Sequence, residues 1–409
     1  MNKMLGILIL AMLTASCGEY CVPDPPKTEI FELVWESRTD PNRSIIGCDY
    51  QQLFEEYFIC TGDIEDPPTL KYFDKSNGEK TWEYVHQGSL DSKIVYNKLK
   101  ESIYIGITND GVFGFDLQEK KMIWEINLSD MNMRFGWGMT IRNDHIYMPV
   151  SWMQGQINIE KERILKIHYL SGEMETFFEL ESKDSLMNAF SAPVFWNDPE
   201  TGRDIMYFNN QNWNYNLSPQ QTSQDMYAVD IESGNVIWCN AEFSSVASNG
   251  AIPPVLYNNN IITGGDWSIY SFDAITGNLN WKSEFIKHKP FPIWSNTKHL
   301  ISENRIYVNN GDFDIRCLNA ETGDVIWHNI EDAPNCSPTM IYYEDMLVYT
   351  SWAYGSIMVL DAFTGEKIHQ ELSHNNSTFN TDVIYDPEID MFFTTDYLFA
   401  YGFKINKPE

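Results

Sequence analysis

Asp230-Ile231-Glu232-Ser233-Gly234-Asn235-Val236-Ile237-Trp238 is followed by Asp273-Ala274-Ile275-Thr276-Gly277-Asn278-Leu279-Asn280-Trp281 and by Asn319-Ala320-Glu321-Thr322-Gly323-Asp324-Val325-Ile326-Trp327. Each stretch has the chemistry of a strand–turn–strand. The leading Asp or Asn accepts hydrogen bonds from amides two or three residues on, and the Gly supplies the positive φ that closes the turn. Apolar residues alternate on either side, as in Ile269 to Asp273, with the period of two expected of strands. The Trp four places after the Gly lies on the second strand, where burying its ~150–250 Å² would join neighbouring sheets. Further copies run Asp361 to Gly365 to His369, Asp74 to Gly78 to Trp82, and Asp116 to Trp124 with Lys120 in the glycine slot. A degenerate copy runs from His168 through Gly172 to Thr176. First positions therefore fall at 74, 116, 168, 230, 273, 319 and 361.

Two more strand-like runs precede each hairpin, for example Pro254 to Tyr257 and Asn260 to Thr263. Four strands per unit of about 42 residues is the period of a β-propeller blade. The periodic Asp-x-x-Thr-Gly-x-x-x-Trp resembles the PQQ-like (quinoprotein-type) β-propeller repeat family, which includes PQQ-dependent dehydrogenases and BamB-like outer-membrane lipoproteins. The resemblance covers residues 31–403. It implies an all-β, eight-bladed propeller of four-stranded antiparallel blades. Tyr397 to Tyr401 reads as a third strand lacking a fourth, and Phe31 to Trp35 reads as a fourth strand lacking its first three. Pairing the two makes the eighth blade, puts Trp35 in its Trp slot, and hides two edges that would otherwise template aggregation.

The 409 residues are 43% hydrophobic and 21% charged, enough to bury a large core. Lys and Arg number 28 against 58 Asp and Glu, for a net charge of −30. That excess excludes a general nucleic-acid role and polybasic binding to anionic lipid. Lys3 precedes an apolar stretch from Leu5 to Ala15, too short to span a bilayer but suited to a secretory signal. Thr14-Ala15-Ser16-Cys17 then resembles a bacterial lipobox, with Thr14 where Leu is usual. The expected organisation is a signal over 1–16, a lipidated Pro-rich tether over 17–30, the propeller over 31–403 and a short tail over 404–409. An ordinary signal cut elsewhere, with Cys17 incidental, is the alternative. The lipid would place the chain at a bacterial outer membrane, on its periplasmic or its surface face. Cys48 and Cys60 fall on successive predicted strands and are the candidate disulfide; two buried thiols are the alternative.

PQQ enzymes of the resembled family usually carry adjacent cysteines beside the cofactor and Asp, Asn and Glu around calcium. No Cys-Cys pair occurs here, so neither PQQ nor Ca²⁺ is expected, and no catalytic or metal-binding residue is assigned. His369 fills a Trp slot, so the His369/His374 pair reads as packing. Asp312 and Asp314, after Asn309-Asn310-Gly311, read as a turn rather than a Ca²⁺ loop.

Of 13 Trp, six fill repeat slots: Trp35, Trp82, Trp124, Trp238, Trp281 and Trp327. Trp137, Trp152, Trp213, Trp267, Trp294 and Trp352 lie in second-to-third-strand or blade-to-blade connections, which open on one face; Trp196 lies on the other side. Insertions at Met153 to Arg163 and Asn209 to Gln224 reach the same face and read as exposed long loops. Two functions follow as expectations. One is a non-catalytic envelope scaffold assisting outer-membrane protein assembly, as BamB-like relatives do. The other is a surface lipoprotein that captures glycan or peptide on its Trp-rich face. A PQQ oxidoreductase is third.

Overall fold

The computed structural model describes residues 30–39, 51–62, 69–90, 94–136, 138–154, 158–181, 187–214, 221–245, 252–285, 299–310, 314–332, 339–351, 355–373, 377–379 and 381–407. Its strands form eight antiparallel sheets in chain order: blade 1 (51–85), blade 2 (94–127), blade 3 (133–181), blade 4 (187–244), blade 5 (255–284), blade 6 (300–329), blade 7 (341–372) and blade 8 (384–405 with 31–38). The only helical element among the described residues is one 3₁₀ turn, Ser129–Met131. The molecule is an eight-bladed β-propeller.

Burial explains the strand order within a blade. Second and third strands are covered on both faces by neighbouring blades, so Ile103–Thr108 and Met346–Ser351 are buried throughout. Fourth strands are half wet and alternate, as in Leu279–Glu284. Six sheets have four strands. In blades 3 and 4 the first position is split: Met133–Phe135 and Thr140–Arg142 both pair with His145–Gln154, and Met187–Phe190 and Val194–Asn197 both pair with Asp204–Asn214. One strand of 10 or 11 residues is thereby matched by two short ones.

The ring closes as the sequence pattern requires. Phe31–Arg38 pairs antiparallel with Phe399–Ile405, joining the two ends of the described chain in one sheet. Trp35 is buried, its Nε1 donates to the Lys75 carbonyl of blade 1 at 2.7 Å, and its ring lies against Phe58 and Phe393.

This contact repeats around the ring. Trp124 donates to Tyr169 O at 2.8 Å, Trp238 to Ala274 O at 3.0 Å and Trp327 to Ala362 O at 3.0 Å, in each case a carbonyl in the turn of the next blade. The indole covers the turn glycine, so a Cβ built on Gly78, Gly172, Gly277, Gly323 or Gly365 would overlap the Trp of the preceding blade. Asn240 and Asn329, two places after their Trp, donate to Gly277 O at 2.6 Å and Gly365 O at 2.9 Å. At the other end of the turn, Asp273 Oδ1 takes the amides of Ile275 and Thr276, and Asp361 Oδ1 those of Phe363 and Thr364. Gly234 differs. The preceding blade has Thr176 in the slot, and a Cβ there would meet only Phe177 O at 3.9 Å.

Gly234 and Gly323 share a left-handed φ of +69° and +74°, so comparing them isolates the indole. Gly234→Ala should cost about 1–2 kcal/mol, the left-handed penalty alone. Gly323→Ala should cost a further ~1–3 kcal/mol for overpacking against Trp281. Trp35→Ala should cost about 3–5 kcal/mol. Urea unfolding midpoints measure all three, and equal midpoints for the two glycine variants would remove the indole from the account.

Candidate interaction face

Second-to-third-strand connections open on one end of the ring, which we term the upper face. There the two expected insertions take a different form. They are long hairpins: His145–Gln154 with Asn158–His168 in blade 3, and Asp204–Asn214 with Gln221–Asp230 in blade 4. The expectation that Asn209 to Gln224 is an exposed loop is corrected. Asn209, Asn210 and Gln211 are 0%, 1% and 0% exposed, within a strand.

Interblade hydrogen bonds are the cause. Asn209 Nδ2 donates to Ile252 O at 2.7 Å and to Thr263 Oγ1 at 2.5 Å, on the side of blade 5. On the opposite side of the strand, Asn210 donates to Asn212 Oδ1 at 2.9 Å, and Asn212 donates to Asp225 Oδ2 at 3.0 Å. The Glu242 amide donates to Asp225 Oδ1 at 2.7 Å. Amides that read as loop-formers therefore satisfy buried polar groups between sheets.

Similar chemistry recurs around the ring. Thr350 Oγ1 donates to Thr381 O at 2.6 Å, Thr381 Oγ1 to Thr395 O at 2.7 Å, and Gln51 Nε2 to Thr395 Oγ1 at 3.1 Å. At these seams the upper ends of the blades are joined by hydroxyl and amide groups.

Glu162 lies in this layer between blades 3 and 4. It is fully buried, and its Oε1 accepts from Ser151 Oγ at 2.9 Å and from the Phe190 amide at 3.3 Å. Burial pushes its carboxyl well above the ordinary range, against those two hydrogen bonds. His299 is buried and held neutral, its pKa pulled down to about 4 by desolvation. At the seam of blades 1 and 2, His86 Nε2 meets Glu125 Oε2 at 2.8 Å. Ser89 gives both its amide (2.9 Å) and its hydroxyl (2.5 Å) to Glu125 Oε1, so the serine faces the carboxylate and not the imidazole. That is a turn anchor and not a nucleophile–base pair.

Among the described residues no group of three or more His, Cys, Asp and Glu is arranged to hold a metal ion. Trp267 is half-buried and packs against the cluster of Ile252, Val255, Trp281 and Phe285. Trp152 and Trp213 stand on the extended strands, opposite Met133 and Met187; their side chains lie outside the described residues. Trp137, Trp294 and Trp352 lie outside them altogether, as do Cys17, Cys48, His374, Asp312 and the tether. Cys60 is buried at the seam of blades 8 and 1. His369 stacks on Phe31 at 5.8 Å, a packing role that suits its place in a Trp slot.

Glu162 has a defined pH signature. A carboxyl whose pKa is raised in the folded state contributes its full stability below the unfolded pKa and loses it as pH rises through the folded value. Glu162→Gln should match the parent near pH 4 and exceed it at pH 8, by about 1.4 kcal/mol for each unit by which folding raises the pKa. Urea midpoints across that range measure it. A variant less stable than its parent at pH 8 would mean that the carboxylate is paired.

A family model described as outer membrane protein assembly factor BamB matches residues 211–389. No curated protein matches the chain in sequence. BamB from Moraxella catarrhalis superposes with a TM-score of 0.60 at 12% identity, covering 92% of this chain and 100% of that one. A europium-containing methanol dehydrogenase gives a TM-score of 0.67 at 12% identity, covering 92% and 93%. A computationally designed protein, Ika8, gives 0.61 at 13% identity, covering 91% and 100%. Blade count, hairpin repeat and family model agree in what the chain is similar to, the PQQ-like β-propeller repeat family, the family model matching residues 211–389.

Proposed function

We propose that this protein is a non-catalytic scaffold of the bacterial envelope, held to the outer membrane by lipid on Cys17, that assists the assembly of outer-membrane proteins. The observation that carries this reading is the match of residues 211–389 to the BamB family model, behind a lipobox-like Thr14 to Cys17. The sequence contributes a second support: it lacks the adjacent cysteine pair expected of PQQ enzymes in the resembled family. The partner would be a folded envelope protein, reached through the upper face. A second reading, capture of glycan or peptide, is favoured by the extended strands that carry Trp152 and Trp213.

In-cell photo-crosslinking from the two long hairpins separates these readings. A β-barrel assembly subunit is the expected product; a transporter or a sugar would replace the scaffold with capture. Reduction of a dye by the purified protein loaded with PQQ and Ca²⁺ would overturn the non-catalytic assignment. Replacing Trp152, Trp213 and Trp352 together by Ala should abolish the crosslink and leave the unfolding midpoint unchanged. A large loss of stability would instead assign those side chains to packing.

A further inference from the structure

The pairing of the first strand fixes where the N-terminal segment leaves the ring. In blade 8, Phe31 lies opposite Ile405 and Arg38 opposite Phe399. The Ile405 end is the lower end. Its neighbours Phe392 and Phe403 are paired, and Asp386 and Met391, which flank the first-to-second-strand turn, pair at that same end. Three contacts agree. Ile30 O accepts from the Asn406 amide at 2.8 Å. Lys407 Nζ reaches Asp345, in the first-to-second-strand turn of blade 7, at 2.9 Å. Lys75, in the third-to-fourth-strand turn of blade 1, pairs with Asp386 at 2.5 Å. At the other end, Thr39 N donates to Leu398 O in the second-to-third-strand connection. The chain therefore enters blade 8 from below, on the face opposite the long hairpins.

We infer that the lower face is the membrane-facing surface of the protein, and that the hairpins of blades 3 and 4 point away from the lipid into the aqueous compartment. This rests on the anchoring part of the function proposed above. Cys17 is 13 residues from Ile30, a span of at most about 45 Å, and the segment joins the body at the lower face. The hairpin strands rise 10 or 11 residues from the lower turns, which lifts their tips about 35 Å further from the bilayer.

The lower turns carry carboxylates that suit a stand-off from lipid headgroups. Glu55, Glu101, Glu303 and Glu344 occupy first-to-second-strand turns with φ of +49°, +55°, +48° and +46°, and Glu56 and Glu388 are exposed beside such turns. An anionic bilayer repels this rim within a Debye length, about 10 Å at 0.1 M salt. A partner meeting the hairpins would be a protein domain exposed to water and not a segment buried in the bilayer.

Energy transfer tests the orientation with the full lipidated chain in vesicles that contain anionic lipid and a headgroup acceptor dye. A donor is placed by Glu56→Cys on the lower face or by Glu181→Cys at the upper end of blade 3, in a Cys239→Ser background, with that background as the blank. Transfer from the lower site should be at least about two-fold higher than from the upper site, given the ~25 Å that separates the two levels. Equal or reversed transfer from vesicle-bound protein overturns the orientation alone. Flotation of a Cys17→Ser chain with the vesicles, or failure of the parent to float, overturns the lipid anchor and the orientation together.

Discussion

Six of the eight seams of this ring turn on one question: what does an indole on the outer strand of one blade find on the next? At five seams it finds a glycine turn with no Cβ, and the flat ring lies on the backbone. Four of these indoles also give the Nε1 proton to a turn carbonyl, and Trp281 keeps the ring contact without one among the described residues. Each contact fixes both the angle and the height of a blade relative to its neighbour, because the turn must present its glycine and its carbonyl together. The residue opposite the indole inside its own blade is small for the same reason. Gly402, Gly114, Ala228, Ser271 and Cys317 pair with Trp35, Trp124, Trp238, Trp281 and Trp327.

Where this arrangement is interrupted, other chemistry fills the gap. Lys120 stands in for glycine in blade 2, and its ammonium lies 5.1 Å from the centre of the Trp82 ring, exchanging an apolar contact for a cation–π one. Between blades 3 and 4 no indole exists. The seam is held by Phe178, Phe190, Phe208 and Tyr227, with Phe208 and Tyr227 stacked at 5.4 Å. At the closing seam the Lys75–Asp386 pair is almost fully buried, and such pairs recover little beyond their own desolvation. Closure there rests on Trp35 and on the stacking of Phe58 on Phe393 at 5.4 Å.

The blades were legible because each advertises its turn with the same Asp, Gly and Trp at fixed offsets, and ring closure followed from Trp35 standing alone at the start. The amide run Asn209 to Asn214 was not. Asn is depleted in strands, and nothing local distinguishes this run from a loop. Its partners Ile252 O and Thr263 Oγ1 are 43 and 54 residues away, so the strand is decided by the next blade. The split first strands of blades 3 and 4 were equally hidden, since two three- or four-residue segments carry too little periodicity to read. Trp267 was placed on the upper face by its position after a second strand, yet its ring is partly absorbed by the core between blades 5 and 6.

At the seam of blades 4 and 5 the two ends differ in what holds them, Trp238 on the Gly277 turn below and Asn209 with Ile252 and Thr263 above. Below, a buried indole contributes roughly 4–6 kcal/mol of gross burial. Above, the joints described are buried hydroxyl and amide hydrogen bonds, each contributing a net ~0.5–1.5 kcal/mol. The long hairpins rise from that hydrogen-bonded layer, and Asn209 at the base of one of them links blade 4 to blade 5. With indoles below and buried hydrogen bonds above, the blades are held at both ends, and the hairpins rise from a fixed base.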